Sequence, residues 1–227
     1  MTIYPASSAD AALVERVRAN LEAVRHRIAA AGGDVARIRV VGVTKSLGPD
    51  AVLAAAGAGL TSVGENYLRE LEVKRAAVGA IGVRWHFLGA LQSNKIRRAA
   101  RAADVLCGVS RLKELTSIAG AAAGASVYVE VETTGLPTRN GAPVAQVADL
   151  VDAGRALGLD VRGLMTVAPP DVDGARRAFA LTKELADQLD LAECSMGMSD
   201  DLELACQYGT TELRLGRALF GPRPALR

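Results

Sequence analysis

Eight short apolar, β-branched runs punctuate this chain, and a helix-period pattern follows each of the first seven. That alternation restricts the fold more than any other feature, because neighbouring parallel strands cannot be joined by a tight hairpin and need a helical crossover. The runs cover residues 38–44, 60–65, 84–91, 105–109, 126–132, 161–167, 194–198 and 212–220. The intervening helical patterns cover 49–56, 67–78, 94–102, 112–123, 144–157, 174–189 and 200–207. An amphipathic segment precedes them, with Leu13, Val17, Leu21, Val24 and Ile28 at helical spacing, Ser8 as its expected N-cap and Gly32-Gly33 as its stop. Eight such units in 227 residues predict an α/β fold: a single (β/α)8 TIM-type barrel with an extra N-terminal helix. A doubly wound open sheet is the competitor, since periodicity does not distinguish a closed sheet from one with edges. No run is rich in the Pro or Lys that guard exposed edges, which favours closure. No linker or composition break divides the chain, so residues 1–227 read as one domain.

Half of the residues are apolar and 23% are charged, a composition that fills a core and excludes wholesale disorder. The formal net charge of +2 gives no electrostatic case for nucleic acid or an anionic membrane, and 4% aromatics leave few stacking platforms. No stretch approaches the roughly 20 apolar residues of a membrane span. The N-terminus lacks the basic and apolar regions of a signal peptide. Three cysteines, Cys107, Cys194 and Cys206, form no CxxC pair, and two histidines cannot build a His-rich metal site. Cys107 and Cys194 read as small buried residues, whereas Cys206, near a helix end, would be reactive if exposed. The expectation is a cytoplasmic, reduced, monomeric protein. One loop, residues 133–143, carries two glycines and two prolines and reads as a mobile excursion.

In a parallel barrel the functional groups gather where strands end. The strand ends here supply Lys45, Asn66, His86 with Gly89, Met165 with Thr166, the stretch 195–199, and Arg214 with Gly216. Lys45 closes an apolar run. Burial or a nearby cation lowers a lysine's pKa, and the neutral amine can attack a carbonyl; the alternative is a lysine that snorkels to solvent. Ser199 reads as the N-cap of helix 200–207, and Gly216 leaves room for a ligand against the backbone. Loops after the seventh and eighth strands form the usual phosphate site of such barrels. Asp200 and Asp201 would repel an anion there unless both turn away. A ligand with an aldehyde and a phosphate suits this set. His86 either meets the ligand or points into the helix layer.

The stretches VGVTK (41–45), VGENYLREL (63–71), WHFLGALQSNK (85–95), GLMTVAP (163–169), SMGMSDDLELA (195–205) and ELRLGRALFG (212–221) together resemble the pyridoxal phosphate homeostasis proteins. These bind pyridoxal 5′-phosphate (PLP) on a fold like the N-terminal barrel of alanine racemase. The resemblance implies Lys45 as the Schiff-base lysine and Asn66 beside the cofactor. It implies a phosphate site at Ser199 and the Arg214-x-Gly216 turn, Met196 packed near the ring and Arg214 facing the pyridine nitrogen. The chain departs from the family's pattern at Arg217, where a threonine is usual, and at Ala90, where a larger residue is frequent. Arg217 then either pairs with the phosphate or contributes only its backbone N–H. An arginine at the ring nitrogen keeps it unprotonated and weakens the ring as an electron sink. No tyrosine falls among the strand-end groups, and no second domain is expected to supply one. The implied role is a PLP carrier that buffers or delivers the cofactor, with apo PLP-dependent enzymes and free amino acids as transient partners. The alternatives are a PLP-dependent amino-acid racemase and an aldolase-like barrel using Lys45 on sugar phosphates.

Overall fold

The structure, a computed structural model, describes residues 10–135 and 139–222. Ser8, expected to cap the first helix, lies outside the described residues, as do 136–138 of the loop 133–143. Helix α1 (Ala11–Ala30) is capped by Asp10, whose carboxylate accepts the Ala12 N–H at 3.0 Å. Its buried face is Val17, Leu21, Val24 and Ile28, the apolar stripe of the sequence.

Eight parallel strands follow: β1 (Arg39–Val43), β2 (Ser62–Glu65), β3 (Arg84–Phe87), β4 (Val105–Val109), β5 (Ser126–Glu130), β6 (Asp160–Met165), β7 (Glu193–Ser195) and β8 (Glu212–Leu215). They alternate with α2 (Pro49–Gly57), α3 (Leu68–Val78), α4 (Ile96–Ala102), α5 (Leu112–Ala119), α6 (Val144–Ala156), α7 (Val172–Gln188) and α8 (Leu202–Gln207). Strand β1 pairs with β8 in the register Arg39↔Glu212 to Gly42↔Leu215, which closes the barrel and removes the open-sheet alternative. Within the run 212–220 the strand ends at Leu215, and α9 (Arg217–Phe220) follows with Gly216 at its N-cap. This corrects the reading of one long strand. The α9 turn docks on α1, where Asn20 Nδ2 donates to Leu219 O at 2.8 Å. Among the described residues no helix is long and apolar enough to cross a membrane.

Alternation along the strands sends every second side chain into the barrel. The end of the barrel where the strands begin is polar. Arg39 Nη1 donates to Glu193 Oε2 at 2.9 Å and to Glu212 Oε2 at 3.0 Å, and the buried Tyr128 hydroxyl donates to Glu193. Charges inside a barrel are tolerated only when partnered in this way. His86 belongs to this interior, contrary to its expected place at the mouth or in the helix layer. It is buried, with Nδ1 3.7 Å from Cys107 Sγ and 3.8 Å from Glu212 Oε2, and burial lowers its pKa so that the ring stays neutral. The parity that points Arg84 inward, where its Nη2 reaches Ser126 Oγ, also points His86 inward. All three cysteines are buried. Burial pushes the Cys206 thiol up to about 11, which leaves little nucleophilic thiolate.

Candidate functional site

One cavity of about 840 Å³ opens where the strands end, within the roughly 300–1,000 Å³ typical of small-molecule sites. Six of the seven expected site residues line it: Lys45, Asn66, Ser199, Arg214, Gly216 and Arg217. Lys45 lies two residues past the end of β1 and is half-buried. Asn66 follows β2, and its carbonyl lies so near Gly89 that a Cβ there would sit 2.1 Å from the oxygen. Only glycine lets these two loops touch.

Met196 is the exception. Ser195 turns inward to Arg214, so the next residue turns outward, and Met196 is fully buried in the core between strands and helices. Met198, two residues on, reaches the cavity instead.

Arg214 is 6% exposed and has its guanidinium plane fixed by three acceptors. Nη1 donates to Ser195 O at 2.6 Å and Ser195 Oγ at 2.8 Å, and Nη2 to Thr166 O at 2.7 Å. A planar fork held at three points presents its remaining edge in one orientation.

Ser199 is not a helix cap, because α8 starts later, at Leu202 with Asp201 as its N-cap residue. Its hydroxyl accepts the Ala218 N–H at 3.1 Å, which ties the loop after β7 to the turn after β8. Arg217 is exposed and forms an ion pair with Asp200. Its charge is therefore directed to a side chain of the neighbouring loop. Asp201 accepts the Met198 N–H. Both acids thus have partners, although both also border the cavity, so the corner keeps two carboxylates beside its cation.

Three contributors escaped the sequence reading. Glu130 ends β5, is 7% exposed and lines the cavity. Burial raises its carboxyl to about 7, with Glu114 adding to the rise and Arg214 and Arg139 opposing it. An inward carboxylate two residues past Tyr128 is visible in the parity of SVYVE. Arg139 and Asn140, from the loop 133–143, also line the cavity. That loop is pinned at its base, where Ala142 N donates to Glu130 O at 2.7 Å and Glu132 N to Ala142 O at 2.9 Å. Among the described residues one group has metal-ligand chemistry, His86, Cys107 and Glu212, with ligand atoms within 4.8 Å of one another. It is sealed inside the barrel, and both Glu212 oxygens already accept hydrogen bonds, from Ser195 and from Arg39.

Fold and site together define a (β/α)8 barrel with a single-lysine, arginine-anchored small-molecule cavity at its C-terminal mouth. A family model described as alanine racemase, N-terminal domain, matches residues 15–224. The pyridoxal phosphate homeostasis protein of Pseudomonas aeruginosa is 36% identical over 209 residues, covering 88% of this chain and 91% of that protein. The one from Deinococcus radiodurans is 38% identical over 210 residues, covering 90% and 99%. Among solved structures, PipY of Synechococcus elongatus with PLP bound superposes with a TM-score of 0.79 at 29% identity, over 90% of this chain and all of that one (100%). Alanine racemase from Bartonella henselae, at 15% identity and a TM-score of 0.73 over 93% of this chain and 60% of that one, shares the fold alone. The chain belongs to the alanine racemase N-terminal domain family and, within it, to the pyridoxal phosphate homeostasis proteins.

Proposed function

We propose that this protein binds PLP at the barrel mouth, attached through Lys45 Nζ, and serves PLP homeostasis as a carrier that buffers or delivers the cofactor. The observation that carries this reading is the shared cavity of Lys45 and Arg214, with Arg214 held rigid by Ser195 and Thr166. The residues fit the group: an amine for the aldehyde, a fixed guanidinium for the ring nitrogen, and the Ser199 and Gly216 loops drawn together for the phosphate. PLP supplies an aldehyde that condenses with a primary amine and releases water, a reversible bond suited to loading and unloading. Asn66 stands beside the amine's strand and borders the ring's space. Arg217, paired with Asp200, offers its backbone at the phosphate corner.

Among the described residues no tyrosine or histidine lines the cavity, so neither of these two proton-moving side chains stands at its wall, which supports holding over turnover. Glu130 is a lining group poised near neutrality, and the racemase alternative rests on it. We assign the protein to the cytoplasm, as a monomer, with free amino acids and apo PLP-dependent enzymes as its transient partners.

The test is to load purified protein with PLP, reduce with borohydride and map the adduct by peptide mass. The expected result is one adduct on Lys45, lost in Lys45→Ala. An adduct elsewhere, or one retained in Lys45→Ala, refutes the lysine assignment. Exchange of an amino acid's α-proton at about 1 per second or faster, an enzymatic rate, refutes the carrier reading.

A further inference from the structure

Lys45 sits between two residues that a buried ion cluster holds from behind. Helix α3 carries Glu70 and Lys74 at a spacing of one helical turn, and β2 ends in Glu65. Lys74 is buried, and its ammonium spends all three donors: Thr44 O at 2.8 Å, Glu65 Oε1 at 2.7 Å and Glu70 Oε2 at 2.9 Å. Thr44 is held twice, since its hydroxyl donates to Glu65 Oε1. On the other side of Lys45, the Ser46 N–H donates to Glu70 Oε2 at 2.8 Å. Ser46 has φ +64°, one of two non-glycine residues with positive φ among those described. Such a conformation persists only where the surroundings impose it.

We propose that Lys74, with Glu70 and Glu65, positions Lys45 by fixing the backbone on both sides of it. The inference rests on the reading that Lys45 carries the covalent bond. A cluster built for stability alone would be a poor choice here. Burying one ammonium and one carboxylate, with Glu70 partly covered beside them, forfeits hydration that apolar side chains would never have had. Glu65 Oε2 is also left buried with no hydrogen-bond partner. What the cluster does gain is direction: its hydrogen bonds converge on the main chain at 44 and 46 and on the Thr44 hydroxyl. With both neighbours fixed, the Lys45 Cα keeps its place and the amine's arc of reach is set before a ligand arrives. A misplacement of about 1 Å at a reacting group can slow reaction by about 10²-fold.

The experiment compares wild type, Lys74→Met, Glu70→Gln and Glu70→Ala as full-length apo-proteins. Folding is checked by circular dichroism and thermal melting. Total PLP binding is measured by equilibrium dialysis, and the rate of attachment to Lys45 by timed borohydride trapping with peptide mapping. The expected result is that Lys74→Met binds PLP but attaches it about 10²-fold more slowly. Glu70→Ala should slow attachment too, whereas Glu70→Gln, which keeps an acceptor for the Ser46 N–H, should recover most of the rate. Equal attachment rates in wild type and Lys74→Met overturn the positioning role. If Lys74→Met does not fold, the Glu70 pair decides, and identical rates for alanine and glutamine overturn it. No adduct on Lys45 in wild type refutes the underlying cofactor reading instead, and the two failures are separable.

Discussion

Replacing Glu130 with glutamine should flatten part of the pH dependence of folding, and both the size and the sign follow from where the side chain lies. At the end of β5 the carboxyl is buried against the cavity floor, and burial disfavours its ionised form. Arg214 pulls the other way but already donates to Ser195 and Thr166, so it only partly compensates. The result is a carboxyl raised from 4.5 to about 7. In the unfolded chain this group gives up its proton above 4.5, while the native state keeps it until about pH 7. The native state therefore binds more protons across that window, and stability falls as pH rises through it. At roughly 1.4 kcal/mol per pH unit the total is ~3 kcal/mol, fully present below 4.5 and gone above 7. The assay is urea unfolding of apo wild type and Glu130→Gln from about pH 5 to about pH 8. Titrations common to both proteins cancel in the difference. Wild type should lose stability relative to the variant up to about pH 7 and run parallel above it. A difference independent of pH across that range would refute the account of a neutral, buried Glu130.

Gly89→Ala should destabilise the fold by about 2–4 kcal/mol in thermal or denaturant melts, because its Cβ would collide with Asn66 O at 2.1 Å; a melt unchanged from wild type would contradict the touching loops. Glu193 titrates in the opposite direction. Burial opposes its ionisation, but hydrogen bonds from Arg39, Tyr128 and Arg162 prevail and hold its carboxyl at about 2. Its contribution is thus present above 4.5 and lost as pH falls toward 2, so acid unfolding monitored by circular dichroism should be shallower in Glu193→Gln.

The topology was legible because each unit carries its own local signature, an apolar run and then a helical stripe. Closure was legible only indirectly, from the lack of edge-guarding Pro and Lys, since the pairing of Arg39–Gly42 with Glu212–Leu215 joins the first strand to the last and leaves no periodic trace. The run 212–220 is apolar enough to pass for one strand, and only the turn at Gly216 divides it. Six cavity residues were recoverable from strand ends and the family's motifs. Met196 was misplaced because a motif gives order along the chain without facing, although parity counted from Ser195 sends it outward. The same parity, applied to Ser126 and Tyr128, would have found Glu130. The cluster behind Lys45 was out of reach for another reason. Glu70 and Lys74 look like any solvated helix pair, and nothing local shows that Lys74 is covered and that both are aimed at residues 44 and 46.

Barrels of this architecture usually separate their labours, with chemistry at the end where strands finish and stability at the end where they begin. Here one polar column joins the two. Arg39 and Tyr128, near the opening strand ends, orient Glu212 and Glu193; Glu212 Oε1 accepts the Ser195 hydroxyl at 2.7 Å. With its proton committed to Glu212, Ser195 Oγ has lone pairs to receive Arg214 Nη1 at 2.8 Å, and its own carbonyl takes the same nitrogen at 2.6 Å. The direction of each hydrogen bond dictates the next, so the guanidinium at the cavity is oriented by a carboxylate set back from the cavity wall. That column also explains why a charge as costly as Glu212, fully buried, belongs in the barrel. Its Oε2 pairs with Arg39 at 3.0 Å, and its Oε1 is linked to Arg214 through the Ser195 hydroxyl. The rigidity of the arginine at the mouth is thus a property of the whole barrel interior, set by residues from β1, β5, β7 and β8 together.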